Sequence, residues 1–167
     1  MKKNFVPTVF EVPDSLCTNN YRLEILTPDI SELDYDAVMS SRKRLRNVFG
    51  ENTEWPKDDM SLKENTEDLI KHEKEFKARK AFAYTVLKLS GNKCIGCVYI
   101  DPTEIPEFDC EVYLWVRDSE ISLDDHLYKN VRSWLQSYWP FEKIAFPGRE
   151  ISWSDWKSYL LRAKNQS

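Results

Sequence analysis

Apolar positions along the chain change period several times, and each change marks an element. "YRLEIL" (21–26) alternates apolar and polar residues and predicts a strand. From 31 to 49 the spacing is helical, with Val38, Leu45 and Val48/Phe49 near one face and Arg42, Arg44 and Arg46 outside it. A second helix is predicted from Asn65 or Thr66 to Lys80, its inner stripe Leu69, His72 or Glu73, and Phe76. Glu67–Lys71, Glu73–Lys77 and Glu75–Arg79 are spaced to pair along its exposed side. "AFAYTVLKL" and "CIGCVYI" flank the turn "SGNK" and predict a β-hairpin. "CEVYLWV" (110–116) is apolar on both faces apart from Glu111, which implies a central strand covered on both sides. A helix over 123–138 follows, with Leu127, Val131, Trp134 or Leu135, and Tyr138 inward. It leads to a strand at "EKIAFP" (142–147), which a crossover helix should lay parallel to 110–116. A last helix runs from Trp153 to about Ala163. Ahead of this domain (21–167), residues 1–20 contain "FVPTVFEVP" and predict an extended arm.

With 167 residues and 41% hydrophobic positions, the chain can bury one sizeable core. Its net charge of −4 argues against a general nucleic-acid binder. No apolar run is long enough to span a bilayer, so no membrane role is expected. Pro7, Glu11 and Pro13 interrupt the N-terminal apolar residues, which makes a poor signal peptide. The cysteines at 17, 94, 97 and 110 include "CIGC". In a strand, residues three apart point to opposite faces. Cys94 and Cys97 then share neither a metal nor a disulfide, unless Gly96 makes a bulge. No second CxxC exists and the histidines are His72 and His126, so no metal is expected, and free thiols fit a cytoplasmic location. His72 reads as a packing or surface residue. The "RKRLR" cluster (42–46) either attracts an anion or places cations at a helix C-terminus before Gly50.

The order of elements, with the phrases "YRLEILTPDISELDYDAVMSSR", "AFAYTVLKLSGNKCIGCVYIDP" and "EVYLWVR", resembles the GNAT N-acetyltransferase superfamily over roughly residues 21–150. The resemblance implies a mixed α/β (α+β) fold: a mostly antiparallel sheet flanked by helices, with 110–116 and 142–147 as its parallel pair. It implies acetyl-CoA as acyl donor, a small amine as acceptor, and direct attack of the amine on the thioester. In such proteins the donor lies where these two strands splay apart. The resemblance then sets the backbone of Leu114, Trp115 and Val116 along pantetheine, and Arg117, Ser119 and Ser122 at the phosphate turn. It makes Glu111 the candidate base and Tyr159 the candidate acid.

The sequence departs from that family in two places. After Arg117 the turn "DSEIS" holds no glycine, and Ser122 and Asp125 are spaced as a capping box. Asp118, Glu120, Asp124 and Asp125 crowd the site where a pyrophosphate would sit, and like charges repel. The residues after the 142–147 strand are also too few for a helix and the two further strands of the family. The arm "FVPTVFEV" is expected to cover the edge left open there, in its own chain or across a homodimer. Three functions follow: an acetyltransferase with a divergent cofactor turn, a non-catalytic relative that binds another ligand or a protein, or a tryptophan-rich interaction module.

Overall fold

The computed structural model describes residues 3–166. Six strands form one sheet in sequence order: β1 (Ser15–Cys17), β2 (Arg22–Ile25), β3 (Phe82–Leu87), β4 (Cys94–Asp101), β5 (Cys110–Val116) and β6 (Ile144–Ala145). All neighbours are antiparallel except β5 and β6, which are parallel as the crossover requires. The helices are α1 (Ser31–Ser40), α2 (Arg42–Leu45), α3 (Leu62–Lys77), α4 (Asp124–Tyr138) and α5 (Trp153–Asn165). The predicted single helix over 31–49 is thus broken at Ser41, whose hydroxyl is spent on the Asp118 amide of the distant turn. The helix expected from Asn65 starts three residues earlier, because Ser61 caps it by accepting from the Glu64 amide at 3.1 Å.

The sheet is covered on both faces. Leu127, Val131 and Leu135 of α4 pack on one side with Leu23, Tyr84, Val98, Val112 and Leu114. The other face buries Ala37, Val38, Leu45 and Leu69 of the first three helices against Cys97, Tyr99 and Trp115. A smaller cluster joins Trp156 of α5 to Ala145 and Ile105, so α5 lies against β6.

The bulge allowed for at "CIGC" is present one residue earlier than Gly96. Val86 pairs with Gly96, but Leu87 pairs with Cys94, leaving Ile95 extra. The shift turns Cys94 and Cys97 to the same face, where both are buried free thiols. Glycine is needed at 96 because a Cβ there would lie 2.0 Å from the Trp115 carbonyl oxygen on β5. Among the described residues no three His, Cys, Asp or Glu side chains gather as a metal site. None of the described helices is long and apolar enough to cross a membrane.

The arm does not cover the edge beside β6. Its residues Ser15–Cys17 pair with β2, at the opposite edge of the sheet. The preceding residues are anchored by aromatic packing. Phe5 stacks on Phe82 and Phe141 at 5.7 and 5.3 Å, and Phe10 meets Trp139 at 5.3 Å. Arg79 holds the Pro7 and Phe10 carbonyls at 2.8 and 2.9 Å. These contacts hold the arm against Phe82, Trp139 and Phe141 and the α3–β3 junction.

Candidate active-site cleft

Two residue pairs, Cys110–Ile144 and Glu111–Ala145, are all that join β5 to β6. Beyond them the strands diverge. The gap is a cleft of about 240 Å³ lined by Val112, Tyr113, Leu114 and Trp115 on one side and Pro147, Gly148 and Arg149 on the other, with Arg44, Asn47 and Val48 above. The Arg117 amide bonds the Ile95 carbonyl, which commits the odd-numbered backbone groups of β5 to β4. By alternation, the groups of Val112, Leu114 and Val116 face the cleft.

Two of those carbonyls already carry partners. Arg149 donates to Leu114 O at 3.3 Å, and Arg44 donates to Val116 O. Arg149 also forms a two-pronged pair with Asp124 at 2.7 and 2.8 Å, while Arg44 pairs with Asp118 at 2.6 Å. Arg149 reaches this place through the turn "PGRE". Gly148 takes φ +81° there, and a Cβ would lie 2.5 Å from the Trp153 ring. Arg42 and Arg46, from the same basic cluster as Arg44, turn instead to Asp58.

The turn after β5 is wound into a 3-10 helix, Asp118–Leu123, and α4 starts only at Asp124. Ser122 therefore does not cap Asp125. No side chain caps α4, and Asp125 pairs with Lys129 at 2.8 Å. The amides of Asp118 and Glu120 are taken by the Ser41 hydroxyl and the Arg117 carbonyl. The four acids of this turn are each paired: Asp118 with Arg44, Glu120 with Lys88, Asp124 with Arg149 and Asp125 with Lys129. The expected uncompensated repulsion is thus offset by cations from other elements.

The sequence-derived candidates fall in different places. Leu114 and Trp115 line the cleft and the Val116 carbonyl accepts from Arg44 there, while the Trp115 indole donates to the Tyr99 hydroxyl at 3.1 Å. Arg117 is buried, its guanidinium bonded to Asp36, Ser40 and the Cys94 carbonyl, so it points away from the turn it opens. Ser119 and Ser122 are exposed on the 3-10 turn. Tyr159 packs against Phe108 at 5.2 Å under the Arg162 guanidinium and is not among the residues lining the cleft. Glu111 accepts the Tyr113 hydroxyl at 2.7 Å, and Tyr113 does line the cleft.

Asp101 lies directly across from Glu111 in the sheet. Burial first, then the charges of Glu111 and Glu75, push its carboxyl up to about 7. Burial and the neighbouring Glu111 charge also push the Tyr113 phenol far above its usual range, so it stays protonated. Glu111 thus stands between Asp101, its cross-strand neighbour, and the protonated Tyr113 phenol at the cleft. Sequence reasoning missed Asp101, Tyr113, Arg149 and the separate role of Arg44. Only the hairpin register, which pairs 101 with 111, could have pointed to Asp101.

No protein-family model and no curated protein matches the sequence. Solved structures do match the fold. The ribosomal-protein-S5-alanine acetyltransferase of Vibrio fischeri superposes with a TM-score of 0.60 at 18% identity, over 89% of this chain and 81% of that one. The chain has the GNAT acetyltransferase fold. The ribosomal L7/L12 α-N-protein acetyltransferase RimL, solved with coenzyme A, matches at 0.56 and 12% identity, over 75% and 67% of the two chains. The microcin C7 self-immunity acetyltransferase MccE, solved with acetyl-CoA and AMP, matches at 0.54 and 11%, over 72% and 65%. At these identities the likeness concerns the GNAT fold alone.

Proposed function

We propose that the β5–β6 cleft binds an acyl-CoA, acetyl-CoA foremost, and that the protein transfers the acyl group to an amine. The observation that carries this reading is the placing of Arg44 and Arg149 at the cleft, beside backbone groups of Leu114 and Val116. In the resemblance, glycine amides hold the pyrophosphate. Here the Asp118 and Glu120 amides are spent on Ser41 and Arg117, and two guanidiniums would supply the anion-binding groups instead. The residues present fit the ligand in this altered way. Val112, Leu114 and Val116 would hold the pantetheine arm, Arg44 and Arg149 the phosphates, with the Ser119 and Ser122 hydroxyls on the exposed turn nearby. When bound, the thioester supplies an activated acyl carbon.

The protein's own part is proton management. Glu111 with Asp101 would take the proton of the acceptor amine, since a carboxyl near pH 7 is matched to that task. Tyr113, protonated and lining the cleft, is better placed than Tyr159 to donate to a leaving thiolate.

The non-catalytic reading draws on a different observation: the Leu114 and Val116 carbonyls are already bonded by the chain's own arginines. The two readings separate in an assay of thiol release from acetyl-CoA with a pool of primary amines. Amine-dependent release that Glu111→Gln abolishes is the expected result. Tight acetyl-CoA binding with no amine-dependent release would favour the binding module.

A further inference from the structure

A second cavity, about 240 Å³, lies between α1, α3 and β4. Phe49 separates it from the β5–β6 cleft: its ring meets Tyr99 at 5.0 Å on the cavity side and Tyr113 at 5.2 Å on the cleft side. Three aromatic rings, Phe49, Trp55 and Tyr99, form part of its wall, and two carboxylates, Asp34 and Asp68, another part.

Asp34 is only 3% exposed. The Asn65 amide donates to one of its oxygens at 2.9 Å, while the other has no hydrogen-bond partner among the described residues. Burial pushes the Asp34 carboxyl up to about 6, so a cation beside it would favour its ionised form. His72 also lines the space and rests on Tyr99 at 5.5 Å. Its burial pushes the imidazole below its ordinary range, so it is neutral at pH 7 and adds no cation. Lys71, exposed at the rim, is the one lining cation against two carboxylates.

We propose that this cavity binds a small organic ammonium, held by Asp34 and Asp68 and packed against the faces of Phe49, Trp55 and Tyr99. The charge balance disfavours an anion. The open oxygen of Asp34 disfavours a purely apolar guest. The aromatic wall suits an ammonium, whose charge is attracted to ring faces, and offers no third acidic ligand to a metal ion. The site stands on its own geometry and does not depend on acyl transfer in the cleft.

The test is titration of the full chain with tetramethylammonium and with putrescine, followed by the Trp55 indole N–H resonance and by calorimetry, with tert-butanol as a neutral control. Saturable binding of the cations that shifts Trp55 is expected. Asp34→Asn should weaken it about tenfold, as loss of one charge-assisted contact does. Asp68→Asn, on an exposed position that folding tolerates, should weaken it about threefold. The proposal is overturned if tert-butanol binds as tightly as the cations, or if Trp55 does not respond. It is equally overturned if Asp68→Asn, and Asp34→Asn where it folds, bind like the wild type.

Discussion

The Arg149 guanidinium bridges Leu114 on β5 and Asp124 at the start of α4, lying 3.3 Å from the carbonyl and 2.7 Å from the carboxylate. One side chain thus closes the widening gap between β5 and β6 and neutralises an acid at the helix start. Arg44 does the same one step along, between Val116 and Asp118. A phosphate competes for both arginines with the aspartates that hold them.

Removing either guanidinium should therefore cost affinity for acetyl-CoA more than for acetyl-pantetheine, which lacks the pyrophosphate. Arg149→Ala is expected to weaken acetyl-CoA binding about ten- to a hundredfold, the loss of a charge-assisted hydrogen bond of roughly 1.5–3 kcal/mol. Calorimetry with the two ligands checks the difference. Equal losses for both would place Arg149 in packing rather than in phosphate binding.

Asp124→Asn should act in the opposite direction. It frees Arg149 from its two-pronged pair and removes a negative charge from the turn. The expected gain in acetyl-CoA affinity is about three- to tenfold at low ionic strength, shrinking as salt screens the site. Unchanged affinity at low salt would mean that the aspartate does not compete with the ligand.

Asp101 makes a prediction in pH. Its carboxyl is held near 7 in the folded chain and at about 4 when unfolded. Between those values the folded state binds the extra proton, so this group's contribution to stability falls as pH rises from about 4 to 7, by up to about 4 kcal/mol. Asp34, raised to about 6 by burial, acts in the same sense. Urea unfolding of Asp101→Asn across that range should show a flatter pH dependence and higher stability than wild type at pH 7. The same variant should lose the acyl-transfer limb that titrates near neutrality. A wild-type slope retained in Asp101→Asn would remove the carboxyl from this role.

Gly96→Ala tests the architecture beneath the cleft. The new methyl would sit 2.0 Å from the Trp115 carbonyl oxygen, a backbone atom that cannot swing aside. A loss of more than about 2 kcal/mol in chemical unfolding is expected, typical of overpacked sites. A neutral effect would show that the bulge relaxes easily.

Most of the fold was legible in periodicity. The hairpin, the doubly covered 110–116 strand and the crossover helix each have a pattern that one geometry satisfies, and the parallel pair follows from the crossover. The site was less legible because its chemistry is assembled across distance. Arg44, Arg149 and the turn that carries Asp118 and Asp124 come from three separate segments, and no local pattern ties them. The acids after Arg117 looked repulsive in sequence because their partners lie elsewhere in the chain. Ser122 matched a capping box, yet Ser41 and Arg117 take the turn's amides and wind it into a 3-10 helix that delays α4 to Asp124. The arm carried strand-forming residues but no register signal, so nothing local could tell the β2 edge from the β6 edge.

The most direct measurement is calorimetric titration of the full chain with acetyl-CoA, alongside the double variant Arg44→Ala/Arg149→Ala. A micromolar Kd for the wild type, lost in the double variant while its unfolding curve stays cooperative, is the expected result. No heat at millimolar acetyl-CoA, or equal affinity in the double variant, would contradict a cleft that holds the acyl donor through its arginines.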